Sequence, residues 1–283
     1  MVVRRFSTPP PFTGKAETKL VLSEESDNDL SIGFVGDICP LRNREAVFSD
    51  DLIEFFSECS LMVGNFEGVI TKESYRPFRL KHTPEIFEVL KTIKPLQHWA
   101  LSIANNHAVD YNEVALDRTL FEFDKRGINW FGTKEEPTAT ISRGITATAW
   151  TWWMNGRTDR ISNRDPGVPQ EGGLHMAIPH WGYEHERHPR LSQRKKVPEG
   201  YDIVVGHHSH LPQPLERLDN AVPVAWSLGN FLTAKSLPVL GEGAVMKVII
   251  NRPDGMTPKI QSVEYRAIIL DRDDPDYCRV SFR

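Results

Sequence analysis

The chain has 283 residues, 40% hydrophobic and 25% charged. That is long enough to bury its own core without disulfides and unlike the composition of disordered or membrane proteins. A formal charge of -4, from 34 basic and 38 acidic residues, leaves no cation excess to neutralise a phosphate backbone and excludes nucleic-acid binding by bulk charge. Three widely spaced cysteines, Cys39, Cys59 and Cys278, make neither a zinc-finger spacing nor an even-numbered disulfide framework, and read as reduced thiols.

Residues 1–29 are polar, with Pro9, Pro10 and Pro11 and an acidic SEESDND run. They are predicted to be a mobile tail or an edge embellishment, followed by one domain over 30–283. The opening MVVRRFSTPPPFTGKAETK has no apolar stretch of signal-peptide length, and no window approaches the roughly 20 apolar residues that span a bilayer. The expectation is a cytoplasmic protein with no membrane anchor.

From residue 30 short apolar runs alternate with amphipathic stretches, the pattern of an α/β layer architecture. The runs are SIGFVG (31–36), LMVGN (61–65), WALSIANN (99–106), HMAIPHW (175–181), DIVVGHH (202–208) and PVAWSLGN (223–230). Phe48, Leu52, Phe55 and Phe56, and then Ile86, Val89, Leu90 and Ile93, fall at helical spacing. A third helix is predicted between Asn112 as N-cap and Gly127 as terminator, with Leu116, Leu120 and Phe123 on one face. GITATAWTWW (144–153) is strand-like, and 155–173 is a surface loop. AVMKVIIN and IQSVEYRAIIL form an antiparallel pair turning at Asp254 and Gly255.

Each of five runs ends in a polar cluster: Gly36-Asp37, Gly64-Asn65-Phe66-Glu67, Asn105-Asn106-His107, His180-Trp181-Gly182, and Gly206-His207-His208-Ser209-His210. Loops at the carboxyl edge of an α/β sheet converge on ligands while the strands hold them rigid. Carboxylate, amide oxygen and neutral imidazole are the donors that hard to borderline divalent ions take. Such ions make hydroxide available at neutral pH, and a separate imidazole can protonate a leaving group.

In FVGDIC, VGNFEG, LSIANNHAVDYN, HWGYEH, VVGHHSHLPQPLE and SLGNF, spread over about residues 31–232, the chain resembles the calcineurin-like metallophosphoesterases. Within them it resembles the bacterial poly-γ-glutamate capsule-synthesis CapA family, and six ordered motifs carry far more weight than one. The resemblance implies a four-layer α/β (α+β) sandwich, two mixed β-sheets flanked by α-helices. It implies one or two divalent ions (manganese, iron or zinc) on Asp37, Glu67, Asn106, His180, His208 and His210. His207 is read either as support for those ligands or as a ligand itself. His107 is then the imidazole that protonates the leaving oxygen, and Glu184, in the HWGxE pattern, orients water or a substrate group. The His208-x-His210 pair is expected on an extended segment, where alternate side chains point the same way.

Two positions depart from the broader phosphoesterase pattern: Cys39 stands where a histidine is usual, and Asn65 where a bridging aspartate is usual. Either Glu67 bridges, or one ion binds firmly and one weakly. Asn105 caps its turn or contacts substrate, and Asn230 holds a turn or touches the site. His82, His98, His175 and His188 are read as structural, Cys39 as a small buried residue before a soft ligand, and Trp150, Trp152 and Trp153 as core packing before a rim of the pocket. The basic segment 76–81, with Arg79, is a solvated face or a receiver of an anionic substrate. The function implied is metal-dependent hydrolysis of a phosphoester, or of a γ-glutamyl or peptidic amide, acting on a small or polymeric anion. The rival is a non-catalytic component that binds the polyanionic capsule polymer or assists its synthesis.

Overall fold

The computed structural model describes residues 17–23, 29–169, 172–218, 221–235, 237–252 and 256–283. The first nine strands in chain order are β1 (Glu17–Val21), β2 (Asp29–Ile38), β3 (Glu45–Phe48), β4 (Leu61–Phe66), β5 (Val69–Ile70), β6 (Lys81–His82), β7 (Trp99–Ser102), β8 (Asn129–Phe131) and β9 (Thr138–Ser142). The rest are β10 (Ile145–Thr151), β11 (Leu174–His180), β12 (Ile203–Val205), β13 (Leu215–Arg217), β14 (Pro223–Ala225), β15 (Asn230–Leu232), β16 (Glu242–Asn251), β17 (Lys259–Asp271) and β18 (Tyr277–Phe282). The α-helices are α1 (Asp50–Ser57), α2 (Ile86–Ile93), α3 (Glu113–Asp124) and the single turn α4 (Leu191–Arg194).

Two mixed sheets form the sandwich. The first runs β3-β18-β17-β16-β2-β4-β7-β8, with β1 on β17 and β15 on β2. Its β2, β4, β7 and β8 are parallel, and β16 and β17 are antiparallel. The second runs β13-β14-β12-β11-β10-β9, parallel in the middle and antiparallel at both edges.

Strand periodicity decides which side chains lie between the layers. On β10, β11 and β12, Ile145, Ala147, Ala149, Leu174, Met176, Ile178, Ile203 and Val205 join the core that also holds Ile32, Phe34, Met62 and Met246 of the first sheet. The alternate residues Trp150, Ala177 and Val204 belong to a separate cluster with Trp181, Tyr201, Val224 and Trp226. Each fully buried large apolar side chain contributes about 1.5–3 kcal/mol, so a one-residue slip of register would exchange two well-filled faces for two poor ones.

Helices α1 and α2 bury Leu52, Phe55 and Phe56, and Ile86, Phe87, Leu90 and Ile93. A Cβ on Gly33 would collide with the Phe56 ring, which marks where α1 lies on β2. Asn112 caps α3 by accepting from Ala115 N at 3.1 Å, Gly127 follows the helix at φ 67°, and Phe123 meets Phe66 and Phe87 edge-on. Among the described residues the helical layer over the second sheet is the single turn α4, with the Arg194 guanidinium 5.0 Å from the Trp226 ring centroid.

Phe48 closes β3 rather than opening α1, because the helix begins only after Ser49. Residues 17–21, expected in the tail, pair antiparallel with β17 as β1. The antiparallel pair at the end of the chain gains a third strand, β18, which bonds β17 and β3. The expected turn at Asp254 and Gly255 lies outside the described residues. The 155–173 stretch forms no helix or strand over its described part, yet it is anchored: Ile161 is buried in the core and bridges Thr133. No helix among the described residues is long and apolar enough to cross a membrane.

Candidate metal centre

The polar clusters meet at the carboxyl ends of the parallel strands. Asp37 pairs in register with Asn65 of β4 and Asn230 of β15, so three polar side chains from adjacent strands share one level. Glu67 follows β4, and Asn105, Asn106 and His107 follow β7. From the second sheet, His180 ends β11 and bridges His207, and His208 and His210 follow. All of these residues are buried.

Their contacts form one network. Asn65 Nδ2 donates to Asp37 Oδ1 at 2.8 Å and lies 3.2 Å from His180 Nδ1. His180 Nε2 is 2.9 Å from Asn106 Oδ1 and 3.1 Å from His208 Nδ1. His210 Nδ1 lies 3.0 Å from Asn230 Oδ1 and 3.4 Å from Asp37 Oδ2. His207 Nδ1 approaches Asp37 Oδ1 at 3.2 Å, and the His208 backbone N–H donates to Asp37 Oδ2.

At the middle stands Glu67 Oε1, 3.7 Å from His210 Nε2, 3.8 Å from His107 Nε2 and 4.0 Å from His180 Nε2. Among the described residues, Glu67 Oε1 and His210 Nε2 are buried with no hydrogen-bond partner. These gaps are too long for hydrogen bonds yet suit donors around one ion, since two ligands each at about 2.0–2.2 Å stand up to about 4 Å apart. The Cys39 thiol completes a triad with Glu67 and His210 whose ligand atoms all lie within 4.8 Å of one another.

The electrostatics fit a cation. Burial alone would raise Asp37, but hydrogen bonds from His207 and His210 outweigh it and hold its carboxyl well below the usual range. Burial raises Glu67. Burial would lower His210, yet Glu67 and Asp37 push it up to about 9: two buried carboxylates draw positive charge onto its ring. His180 and His208 go the other way, lowered first by burial and then by neighbouring imidazoles, His208 to about 4. Cys39 is raised well above the usual thiol range by burial and by Glu67, so it stands as a thiol, donating to Glu67 Oε2 at 3.4 Å.

His208 and His210 do not lie on an extended segment. Their φ angles are 91° and 57°, in the left-handed region that non-glycine residues seldom occupy, and the rings converge through a turn. Such backbone persists only where its surroundings over-determine it. Asn105 holds its turn, one of the two roles read for it, by accepting from His107 N at 3.1 Å, and it also donates to Asn65 Oδ1 and the Phe66 carbonyl. Glu184 sits exposed at the rim. The protein wall on one side of it would raise its pKa by partial desolvation, but His210, His208 and Lys235 outweigh that and hold it low. Of the tryptophans, Trp150 and Trp152 join the outer cluster, whereas Trp153 stacks on His208 at 6.0 Å and borders the site.

Two functional neighbours were not singled out from sequence. Asp110, buried, lies 2.6 Å from His107 Nδ1 through Oδ2, and its Oδ1 is 3.4 Å from Arg79 Nη1. The signal was the i, i+3 spacing after His107 within a single turn. Asn155 places Nδ2 3.3 Å from His107 Nδ1, and nothing in its polar loop marked it.

The family model for the bacterial capsule synthesis protein PGA_cap matches residues 31–148 and 159–235. The chain is 31% identical over 258 residues to the PGA biosynthesis protein CapA of Bacillus subtilis (strain 168), covering 78% of this chain and 67% of that protein. It is 21% identical over 260 residues to the capsule biosynthesis protein CapA of Bacillus anthracis, covering 77% of this chain and 63% of that one. The calcineurin-like phosphoesterase YfkN from Bacillus subtilis is similar in structure, with a TM-score of 0.45 and 14% identity over 84% of this chain and 90% of that one.

Proposed function

The chain belongs to the bacterial capsule synthesis family PGA_cap, and on that premise we propose that it is a metal-dependent hydrolase of phosphoesters, with γ-glutamyl or peptidic amides as the second substrate class. The observation that carries this reading is the pair Glu67 Oε1 and His210 Nε2, 3.7 Å apart, buried and unpartnered among the described residues. Each such group left unsatisfied costs about 1–3 kcal/mol or more. A cation between them removes both costs.

Asp37, Glu67, Asn106, His180, His208 and His210 would hold the ion or ions, and their carboxylate, amide and imidazole donors fit manganese, iron or zinc. Glu67 Oε1 adjoins both His210 and His180, which supports it as the bridging group. Asn65, by contrast, spends its amide N–H donors on Asp37 and its oxygen on Asn105. When bound, a divalent ion supplies Lewis-acid polarisation of the scissile group and makes hydroxide available at neutral pH.

The proton chemistry falls to His107. Asp110 engages Nδ1, which leaves Nε2 turned towards Glu67 and the centre. A protonated ring there donates from Nε2 to the leaving oxygen, while Asp110 stabilises the imidazolium and fixes its orientation. Asn155 borders the same ring, and Glu184 at the rim orients water or a substrate group.

The test is metal analysis of the purified protein, followed by turnover of a chromogenic phosphodiester and monoester with added manganese, iron or zinc. Metal-dependent turnover is expected, at least about 10²-fold lower in His107→Ala. Equal, negligible rates in both proteins would sink the hydrolase reading in favour of polymer binding without catalysis.

A further inference from the structure

A cleft of about 530 Å³ opens beside the metal centre, with Cys39, His82 and Lys235 among its walls. Two of these touch the central carboxylate residue: Cys39 Sγ donates to Glu67 Oε2 at 3.4 Å, and His82 Nε2 lies 3.0 Å from the Glu67 carbonyl. Five cations line the cleft, Arg42, Arg44, Arg79, Lys81 and Lys235, against one carboxylate, Glu85. The whole chain carries a formal charge of -4, so this concentration of positive charge is local. A concave wall of one sign focuses its field and gathers counter-ions.

The cations are held in place largely by neutral groups. Arg44 donates to the carbonyls of Arg272, Asp274 and Tyr277. Arg42 donates to the Tyr75 hydroxyl at 2.9 Å with its guanidinium 4.8 Å from the ring centroid. Lys81 donates to the Glu73 carbonyl. Neutral acceptors orient a cation without cancelling its charge. Arg79 approaches a carboxylate, Asp110, through Nη1 at 3.4 Å, and a guanidinium has five N–H donors to offer. The same Asp110 holds His107, so the cleft wall and the proton donor are tied to one side chain.

We propose that this cleft seats a second anionic group of the substrate, away from the bond that is cut, so that the substrate class is a polyanion bearing phosphates or carboxylates. The assignment rests on the hydrolase reading above and narrows its substrate. Arg42, Arg79, Lys81 and Lys235 are the residues that would contact the anion by charge-assisted hydrogen bonds.

The experiment measures binding of inorganic tripolyphosphate and of hexaglutamate to the metal-loaded protein by calorimetry, alongside turnover of the chromogenic phosphodiester. At least one polyanion binds the wild type, and which one names the group as phosphate or carboxylate. The double variant Arg42→Gln with Lys81→Gln weakens that binding by about tenfold. A control that removes two cations from exposed positions outside the cleft, Lys125→Gln with Lys259→Gln, changes it by less than about twofold. No polyanion binding by the wild type, unchanged binding in the cleft variant, or equal weakening in both variants overturns the proposal. Cleft-dependent binding without phosphodiester turnover removes the hydrolase reading and leaves the cleft as a polyanion site, so the two failures are told apart.

Discussion

Asp110 Oδ2 lies 2.6 Å from His107 Nδ1, both side chains buried, and the same oxygen accepts from the Leu80 backbone N–H at 2.5 Å. The carboxylate therefore has its position set by backbone and its charge directed at the ring. Asp110→Asn keeps the volume, and the Leu80 N–H holds its amide oxygen towards Nδ1, but it removes the negative charge that stabilises the imidazolium. The expected result is a fall in kcat of about 10²-fold with KM within about twofold, from steady-state kinetics on the chromogenic phosphodiester. An unchanged kcat would show that His107 does not depend on Asp110.

Removing the metal should destabilise the fold. An ion present at 100 times its Kd stabilises the folded form by about 2.7 kcal/mol, which is roughly 5–10 °C in Tm for a chain of this size. Chelator is expected to lower the melting temperature by that amount. In Glu67→Gln the difference should vanish. Burial raises the Glu67 pKa, so the neutral amide should also melt no lower than the chelated wild type. A wild-type melt indifferent to chelator would speak against a tightly held ion.

The parts of this architecture legible in sequence are those written in local pattern. The six apolar runs became strands because each carries buried side chains at period two or as a continuous buried run, and the polar residue at each run's end was carried by the strand itself to the carboxyl edge of its own sheet, where the two sheets meet. That is why Asp37, Asn106, His180, His208 and His210, scattered over some 170 positions of the chain, were found together. Asp110 stood three residues from His107 in plain view, but a carboxylate in a turn reads as turn chemistry until the ring beside it is seen. Asn155 lies between the two segments that the family model matches, in a loop without periodicity. The left-handed turn at His208 and His210 is dictated by the packing around it, and nothing in the local spacing encodes it. The same holds for Lys235, which the fold brings into the cleft wall beside Cys39.

Acid should unfold the protein partly through His82. Burial lowers its pKa from 6.5 to about 4, against the opposing pull of its bonds to the Glu67 and Ile38 carbonyls. Above pH 6.5 the ring is neutral folded or unfolded and contributes nothing. As pH falls from 6.5 to 4 the unfolded chain takes up a proton that the folded one refuses, and stability is lost, by about 3 kcal/mol at most from this group. His180 and His208 act in the same direction. His82→Asn, which keeps a donor towards Glu67, should make the fall in urea-unfolding free energy shallower by up to one proton in this window, measured in chelator. Identical slopes would mean that His82 does not titrate as its burial implies.

Gly36 precedes Asp37 on β2 at the point where β15 crosses closest. A Cβ there would run into the Gly229 carbonyl oxygen, which is the acceptor for Asp37 N at 2.7 Å. The obstacle is backbone and cannot rotate away, so Gly36→Ala must part β2 from β15, whose Asn230 stands opposite Asp37. A loss of about 3 kcal/mol is expected from such overpacking, together with loss of the chelator-sensitive part of the melting temperature, because the displaced residue is Asp37. Gly172→Ala is the control: its Cβ would meet nothing within 4 Å, and its stability should stay within about 0.5 kcal/mol of wild type. If Gly36→Ala kept both wild-type stability and its response to chelator, the close approach of β15 would not be what positions Asp37.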